Sequence, residues 1–499
     1  MSLSVLAERD KLGLADGRLY IDGEWVDGSD GDTWTHVHPA TGEEIGKFAV
    51  ASAGDVDRAV NAAHRAFDEW ATWKARDRGR LLRRIGESIL DHQDELNRLQ
   101  TLDNSLPLSF GAIYQLSAQM AADIFDHHAG WVDKLTGETL PTYTGAEFFF
   151  MTLRQPVGVV AAIIPWNAPL MLFANKVAPA LAAGCTVVLK PSEYASFAAI
   201  RLAQLVEEAG TPPGVFNFVT GEGAATGQAL IDHPRVDKVT FTGSRAVGTR
   251  VLHATADRIG RASLELGGKS PSIVFPDVDI DATAMLSMGM VSMGLSGQGC
   301  VCHTRVLVHE KIYDDLVNKT AEMAGMATFG DPFDPATTSA PLINARQLER
   351  VLGYIDKGKS EGRLVAGGDR PGGDLAAGNF VNPTLFADVP NTASIAQEEI
   401  FGPVLAMLPF KDEADAIRLA NETSYGLGAS VQTNDIKRAL RVAKAVRSGS
   451  FGVNGYTVMP NAPFGGFQQS GLGREGGRAG IEEFTELKTV CIALGDSPV

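Results

Sequence analysis

Two short motifs in this chain carry residue types that could perform nucleophilic chemistry. Cys300 follows the glycine-rich turn Gly297-Gln298-Gly299, and Glu265 ends an apolar run and precedes Leu266-Gly267-Gly268. A free thiol has a pKa of about 8.5, so it needs a nearby base or positive surroundings to react as a thiolate. A partly desolvated Glu has a raised pKa and can act as a general base near neutral pH. These residues are therefore candidates for a nucleophile and a base.

Both residues also have non-catalytic interpretations. A lone Cys is more often a small buried hydrophobe, although the flanking glycines and the polar Gln298 argue against burial of Cys300. Glu265, considered alone, fits a helix cap or a surface acid. Cys300, Cys302 and His303 could suggest zinc, but the sequence has no second Cys or His cluster to complete a tetrahedral site, so no metal is expected. Cys302 is expected to be a silent neighbour rather than a redox partner.

Two further motifs are of the kind that bind a dinucleotide. Thr242-Gly243-Ser244 lies between an apolar run and a helical stretch, with Gly248 one turn in, so a phosphate could approach the helix N-terminus. An ordinary tight turn is an equally good interpretation. Lys190-Pro191-Ser192-Glu193 also closes an apolar run, and its Lys and Glu could bind ribose hydroxyls, although a solvated loop is simpler. An acidic group there repels the extra phosphate of NADP, which favours NAD.

Short β-rich runs that alternate with helical stretches must position these motifs. Such alternation predicts an α/β fold with parallel sheets, after a helical scaffold from Asp55 to Asp103. Residues 357–373, rich in Gly and charge, are expected to form a surface connection. The predicted strands are 159–164, 186–189, 215–219, 236–242 and 262–265, then a second set near 273 and at 305–309, 381–386, 404–409 and 428–431.

Composition excludes several classes of protein. The 499 residues are 44% hydrophobic, which predicts two or three domains with large cores. A formal charge of −16 argues against nucleic acid and membrane surfaces as partners. The first residues lack a signal-like pattern, and the apolar stretch 157–189 is interrupted by prolines and polar residues. With only 4 Cys, a disulfide framework is not expected, and a cytoplasmic setting fits best.

Two pattern matches lack the context that they require. Residues 471–476 satisfy the GxGxxG template but do not follow an apolar strand. Residues 358–362 satisfy the GxSxG template but lie in a charged connection, so a serine hydrolase is not expected.

Taken together and in order along nearly the whole chain, the motifs resemble those of the aldehyde dehydrogenase superfamily, in its hydrolytic type that does not use CoA. Few of them are specific singly, but jointly they are very specific. The matching runs are Pro165-Trp166-Asn167, Lys190-Pro191-Ser192-Glu193, Phe241-Thr242-Gly243-Ser244 with Gly248, Glu265-Leu266-Gly267-Gly268-Lys269, Gly297-Gln298 with Cys300 and Arg305, Glu398-Glu399-Ile400-Phe401-Gly402-Pro403, Asn454, and Pro463-Phe464-Gly465-Gly466 with Ser470-Gly471.

The resemblance implies three domains. Residues 1–136 and 156–267 would form a Rossmann-type dinucleotide-binding domain, to which residues 469–484 return, and residues 268–468 an α/β catalytic domain. Residues 137–155 and 485–499 would form a small β-rich arm that bridges subunits. A homo-oligomer, dimer or tetramer, is therefore expected.

The resemblance also assigns roles to individual residues. Cys300 would attack the aldehyde, Asn167 and the Cys300 N–H would hold the oxyanion, and Glu265 would activate the water that hydrolyses the thioester. Lys176 and Glu475 match positions that relay protons from Glu265. The residues expected to bind NAD are Ile164, Pro165, Trp166, Lys190, Ser192, Glu193, Gly223, Phe241, Gly243, Ser244, Gly248, Leu266, Glu399 and Phe401.

By the same resemblance, a mainly apolar channel without a cation would admit the aldehyde. This favours an uncharged aliphatic, aryl or terpenoid-like substrate. Asn175 stands where many relatives carry a large aromatic, and Ala168 is small, so the tunnel is expected to be roomy and ill suited to caging a quaternary ammonium group. The lining positions are Met120, Ala168, Met171, Leu172, Asn175, Val301, Tyr456, Val458, Met459 and Phe464.

Two alternatives stay open at this point. A CoA-acylating semialdehyde dehydrogenase would use CoA in place of water, but such members generally lack the carboxylate at the position of Glu265. A non-catalytic structural member of the family would have lost turnover, whereas here every expected catalytic position is filled.

Overall fold

The computed structural model describes residues 5–111, 113–143 and 147–494. Within these residues the chain forms an eight-stranded sheet, a seven-stranded sheet, a three-stranded sheet and a two-stranded sheet, with helices around them. The predicted α/β class is confirmed. No helix in the described ranges has the length and apolar character needed to cross a membrane.

The strands are short, as expected for an α/β protein. They are β1 Leu19–Ile21, β2 Glu24–Val26, β3 Thr33–Val37, β4 Glu44–Ala49, β5 Thr139–Leu140, β6 Phe148–Pro156, β7 Val159–Ile163, β8 Thr186–Lys190, β9 Phe216–Phe218, β10 Lys238–Thr242, β11 Arg261–Glu265, β12 Pro271–Val274, β13 Arg305–His309, β14 Arg363–Ala366, β15 Thr384–Ala387, β16 Val404–Phe410, β17 Gly428–Gln432, β18 Ser450–Val453, β19 Gly471–Leu472 and β20 Thr485–Ala493.

The helices include the predicted helical scaffold, which is divided among α2, α3 and α4. They are α1 Val5–Lys11, α2 Ala53–Thr72, α3 Ala75–Asp91, α4 Gln93–Asn104, α5 Leu108–Gly111, α6 Ala118–Ala129, α7 Pro169–Ala183, α8 Phe197–Glu208, α9 Gln228–Asp232, α10 Arg245–Ala256, α11 Ile280–Ser292, α12 Tyr313–Ala324, α13 Ala345–Glu361, α14 Ser394–Gln397, α15 Glu413–Asn421, α16 Ile436–Ala445 and α17 Gly477–Glu482.

The eight-stranded sheet has the order β19-β11-β10-β7-β8-β9-β1-β2. Its five central strands, β11 to β9, are parallel, and antiparallel strands pair at both ends. Both faces are covered: Val160 and Ala162 of β7 pack in one apolar cluster, and Val159 and Ala161 pack in another. The carboxyl ends of the five strands therefore meet at one edge, where a ligand can bind.

The seven-stranded sheet has the order β14-β15-β16-β13-β12-β17-β18, and only β14 runs antiparallel. Leu307 of β13 packs on one side of this sheet, and Val306 and Val308 pack on the other. Residues 266–270 connect the two large sheets, because β11 belongs to the first and β12 to the second. This short connection determines which residues of the two large sheets lie close together.

The three-stranded sheet, β20-β6-β5, stands apart from the two large sheets and lies in the two stretches predicted to form the arm. Several apolar side chains of β6 and β20 are exposed, among them Phe149, Leu153 and Leu487. Residues 144–146 and 495–499 of the predicted arm lie outside the described residues.

The interpretation of residues 357–373 as a surface connection is wrong for half of its length. Residues 357–361 complete α13, and residues 363–366 form β14, which pairs antiparallel with β15. The end of α13 and the edge strand β14 both face solvent although they are not loops. Their exposure explains why residues 357–373 are rich in charge and glycine.

Candidate active site

The connection between the two sheets brings Glu265, Cys300 and Glu399 together. An ideal Cβ on Gly267 would lie 2.1 Å from Oε2 of Glu399, and one on Gly268 would lie 2.8 Å from the carbonyl oxygen of Cys300. The N–H of Gly268 donates to Oε1 of Glu399 at 3.1 Å. The two glycines are therefore required at this point, because both the thiol loop and the Glu399 carboxylate press against the backbone.

Cys300 lies on a loop after α11 and is a half-buried free thiol. Gly297 adopts a φ of +72°, and its missing Cβ leaves room for the carbonyl of Gly402. Burial raises the pKa of the Cys300 thiol, and the carboxyls of Glu399 and Glu265 raise it further, while the Cys300 N–H lowers it. The thiol is therefore held neutral, in acidic rather than positive surroundings, and a base must take its proton.

Gln298, unlike the half-buried Cys300, is buried, with only 1% of its surface exposed. Its side-chain amide donates to the carbonyls of Leu295 and Pro341, at 2.8 and 3.0 Å, and accepts from the N–H of Ile343 at 3.0 Å. A polar side chain tolerates burial when its hydrogen bonds are satisfied in this way.

Asn167 lies in the loop between β7 and α7, and its side-chain amide donates to the carbonyl of Gln298 at 3.1 Å. Asn104 supports this loop from behind, since its amide donates to the carbonyl of Trp166 at 3.0 Å. One hydrogen of the Asn167 amide is used by Gln298, which leaves the second available to a substrate oxygen on the thiol loop.

Glu265 is a buried carboxyl at the end of β11, as its sequence position predicts. Burial raises its pKa well above the usual range, Glu475 raises it further, and Lys176 and Arg474 lower it. Its Oε2 atom has no hydrogen-bond partner within the described residues. An ideal Cβ on Gly465 would lie 2.6 Å from its Oε1 atom. Glu265 therefore combines a raised pKa with a free oxygen, as a general base requires.

Lys176 and Glu475 form a buried ion pair beside Glu265. Nζ of Lys176 lies 2.6 Å from Oε1 of Glu475 and also donates to Oγ1 of Thr240 at 3.1 Å. Lys176 comes from α7 and Glu475 precedes α17, so residues far apart in the chain meet here. The pair lies close enough to Glu265 to act on the pKa of its carboxyl.

The predicted dinucleotide residues follow neighbouring strands of the eight-stranded sheet. Nζ of the buried Lys190, at the end of β8, donates to the Pro191 carbonyl at 2.8 Å and lies 3.7 Å from Glu193. The N–H of Gly223 contacts the other Glu193 oxygen at 3.5 Å. Ser244 caps α10, and an ideal Cβ on Gly248 would lie 2.7 Å from Leu266.

Three more of the predicted dinucleotide residues are Glu399, which contacts Gly267 and Gly268, and the aromatic pair Phe401 and Trp166. The rings of Trp166 and Phe401 meet edge to face with centroids 5.6 Å apart. Burial raises the pKa of Glu399 to about 7. This arrangement fits a dinucleotide, because it combines a lysine paired with a glutamate, a glycine-lined helix N-terminus and a carboxylate at the sheet connection.

The remaining predicted dinucleotide residues lie at the same edge of the sheet. Ile164, Phe241, Gly243 and Leu266 lie at or beside the ends of β7, β10 and β11, and Pro165 and Ser192 lie in the adjoining loops.

Half of the predicted channel residues share one apolar cluster. Met120, Ala168 and Leu172 are buried in it, and Met171 and Val458 pack against it. Tyr456 stands against His303 with ring centroids 5.1 Å apart, while Met459 is 42% exposed and outside the cluster. Phe464 pairs with Glu475 through the main chain, Val301 follows the nucleophile candidate, and Asn175 is buried in α7.

Three residues of this region received no role from the sequence. The amine of Lys269 is buried without a partner within the described residues, and burial lowers its pKa to about 7. Gln347 donates to the carbonyls of Ile400 and Phe401, and Asn104 supports the Asn167 loop. Lys269 belongs to a matched motif, whereas Gln347 and Asn104 carry no local signal, because their partners are distant in sequence.

The cysteines and histidines do not form a metal centre in the part of the chain that the structure describes, where no group of His, Cys, Asp and Glu has a ligand arrangement. Burial raises the pKa of Cys302 to about 11 and lowers that of His303 to about 4. Arg305, also part of a matched motif, is buried and donates to the carbonyls of Leu419 and Ala420, so it supports the seven-stranded sheet.

Comparison with known proteins places these features in one family. The model of the aldehyde dehydrogenase family matches residues 25–490. An aldehyde dehydrogenase of Enchytraeus buchholzi is 44% identical over 95% of both chains. A crystal structure of a putative aldehyde dehydrogenase from Burkholderia cenocepacia is 40% identical, covers 97% of this chain and 99% of its own, and has a TM-score of 0.93. Betaine aldehyde dehydrogenase from Staphylococcus aureus, solved with NAD+, is 34% identical over 100% of this chain and 99% of its own, with a TM-score of 0.96. This chain therefore belongs to the aldehyde dehydrogenase family.

Proposed function

We propose that this chain oxidises an uncharged aliphatic, aryl or terpenoid-like aldehyde to its carboxylic acid, with NAD as the oxidant. The observation that carries the proposal is the convergence of Cys300, Glu265 and Glu399 on the glycine-rich connection between the two sheets. The proposed nucleophile, Cys300, then lies near a base of raised pKa, Glu265, and near a residue proposed to bind the dinucleotide, Glu399. The solved relative from Staphylococcus aureus that contains NAD+ supports the choice of cofactor.

In the first half of the reaction, the Cys300 thiol gives its proton to solvent water as its sulfur attacks the carbonyl carbon of the aldehyde, and a thiohemiacetal forms. The developing oxyanion accepts hydrogen bonds from the free hydrogen of the Asn167 amide and from the Cys300 N–H. NAD, when bound, supplies the hydride acceptor that converts this adduct into a thioester. Lys190, Glu193, the N-terminus of α10 and Glu399 are the residues that would hold it.

In the second half, Glu265 takes a proton from a water molecule, and the hydroxide attacks the thioester carbon. The bond from carbon to Sγ breaks, the acid leaves and Cys300 recovers its proton. The proton of Cys300 comes from Glu265, and the Lys176–Glu475 pair beside Glu265 gives the proton released by the ionising acid a route away from the site. Splitting the oxidation into two steps avoids one high barrier.

The domain and assembly roles follow the same reasoning. We propose that residues 1–136, 156–267 and 469–484 bind the dinucleotide, and that residues 268–468 carry the nucleophile. Residues 137–155 and 485–499 are proposed to join copies of the chain. The exposed apolar side chains of Phe149, Leu153 and Ile492, which lie on the same face of the three-stranded sheet, support this role, because an apolar sheet face is normally covered.

The test uses NADH formation across a panel of aldehydes, with NAD and with NADP. Cys300→Ser should abolish turnover, and the neighbouring Cys302→Ser should retain it. Glu265→Gln should release about one NADH per subunit and then stop, because the thioester is not hydrolysed. Retained turnover in Cys300→Ser, or activity that depends strictly on added CoA, would refute the hydrolytic assignment. NAD binding without turnover of any aldehyde would support a non-catalytic member instead.

A further inference from the structure

A single buried side chain fixes the loop that carries the thiol. The side-chain amide of Gln298 joins this loop to residues 341–343, which precede α13, through its bonds to Pro341 and Ile343. A third bond, to Leu295, closes the loop on itself. The amide thereby uses both of its hydrogens and one acceptor site. Since Cys300 follows only two residues later, the position of its N–H and thiol depends on this anchor.

The main chain of the same residue fixes a second group of the site. Its carbonyl accepts the hydrogen bond from the Asn167 amide at 3.1 Å. The other bonds between this loop and residues 338–340 lie further from the thiol, for example those of Gly294 and of the Ser296 hydroxyl. The proposed function uses two oxyanion donors, the Asn167 side-chain amide and the Cys300 backbone N–H. Gln298 thus contributes to the position of both.

We propose that Gln298 is a positioning residue that sets the two oxyanion donors relative to the thiol. This inference rests on the proposed function of Cys300 and Asn167. Gln298 itself does not touch the substrate, because its amide faces Leu295, Pro341 and Ile343. Its effect passes through the Cys300 N–H and through the bond from Asn167 to its carbonyl.

The physical reason is the narrow tolerance of an oxyanion site. Donors act when they lie about 2.7–3.1 Å from the oxygen that develops charge, and a displacement of about 1 Å can cost about 100-fold in rate. Alkylation of a thiol by iodoacetamide develops no oxyanion at a carbonyl. A disturbed oxyanion site therefore slows attack on an ester much more than it slows alkylation, whereas a disturbed thiol slows both.

The experiment compares these two reactions at Cys300 in the full chain without cofactor. The burst of p-nitrophenol from p-nitrophenyl acetate reports acylation, and iodoacetamide reports alkylation, with the labelled cysteine confirmed by peptide mass mapping. Gln298→Met removes all three hydrogen bonds at similar volume. The matched control is Gln432→Met, the same change at a buried glutamine of β17 whose amide contacts Ser430. Gln298→Asn keeps an uncharged amide on a shorter side chain and is the milder second variant.

We expect Gln298→Met to slow acylation about 100-fold and alkylation less than about 5-fold, with Gln298→Asn between it and the wild type. Gln432→Met should match the wild type in both reactions. Equal losses of acylation and alkylation, or unchanged acylation, would overturn the inference. If Gln298→Met does not fold, the same ratio in Gln298→Asn decides. A wild-type chain that shows no acylation of Cys300 would instead count against the proposed function.

Discussion

The buried ion pair between Lys176 and Glu475 leads to a prediction about the pH dependence of thioester hydrolysis. Glu265 must be ionised to take a proton from water, and burial, followed by the charge of Glu475, raises its pKa. Hydrolysis should therefore speed up as the pH rises through this raised pKa. Glu475→Gln removes a charge that raises the Glu265 pKa, while Arg474 still lowers it, so the rising limb should move to lower pH.

The direction of this shift does not depend on the state of Lys176 in the variant. If the Lys176 charge were lost together with that of Glu475, two opposing effects on Glu265 would disappear. The effect of Glu475 is the larger of the two. The pKa of Glu265 should therefore still fall.

The same variant should lose stability, because the fully buried Lys176 would lose the carboxylate with which it forms an ion pair. Removing one partner of a buried pair costs about 3–5 kcal/mol. We expect about 3 kcal/mol, at the low end, because the amide oxygen introduced by Glu475→Gln can still accept from Lys176 and the bond to Thr240 remains. The double variant Lys176→Met with Glu475→Gln should recover most of this loss, since no unpaired charge is left.

Two measurements test this reasoning. The steady rate of p-nitrophenol release after the burst reports hydrolysis of the acyl-Cys300 chain without cofactor, and its pH midpoint is compared between variants. Urea unfolding at pH 7 reports the free energy of unfolding. Glu422→Gln, at an exposed carboxylate paired with Arg418, is the control that should leave the pH midpoint unchanged. A midpoint that stays in place or rises in Glu475→Gln would refute the proposed coupling.

Three further predictions concern the channel, the cofactor cleft and the sheet connection. Asn175→Trp should lower kcat/KM for bulky aldehydes at least tenfold more than for acetaldehyde, and equal losses would show that Asn175 does not line the channel. Gly248→Ala places a Cβ 2.7 Å from Leu266 and should weaken NAD binding about tenfold, measured by fluorescence titration, with little effect on ester acylation. Gly268→Ala places a Cβ 2.8 Å from the carbonyl of Cys300 and should slow both alkylation and acylation of the thiol, because the whole loop must shift.

The sequence predicted the regular elements well where the local pattern was strong. The runs at 159–164, 186–189 and 305–309 correspond to β7, β8 and β13, because buried parallel strands are continuous apolar segments. The N-terminal strands β1 and β2 were not predicted. Each spans only three residues, so no periodicity distinguishes them from a loop.

The residues of the candidate site were likewise predicted only where a sequence motif contains them. The local motifs identified Cys300 and Glu265 as candidates, since each lies in a short run with its own chemical character, and the family resemblance added Asn167. The burial of Gln298 itself was not predicted, because a polar side chain is buried only where the fold offers hydrogen-bond partners. Here Pro341 and Ile343 offer three main-chain partners together with Leu295, and those residues are invisible from the local sequence.

The sequence by itself determined the alternation of most strands and helices, the family motifs and the acidic composition, because these are local or additive properties of the chain. The tertiary structure decided which of these residues meet. It packs Gly267 and Gly268 against Glu399 and Cys300, pairs Lys176 with Glu475, and buries Glu265 beside them. These contacts, and the shifts in pKa that they cause, depend on how two sheets are joined through one short connection, which no local pattern encodes.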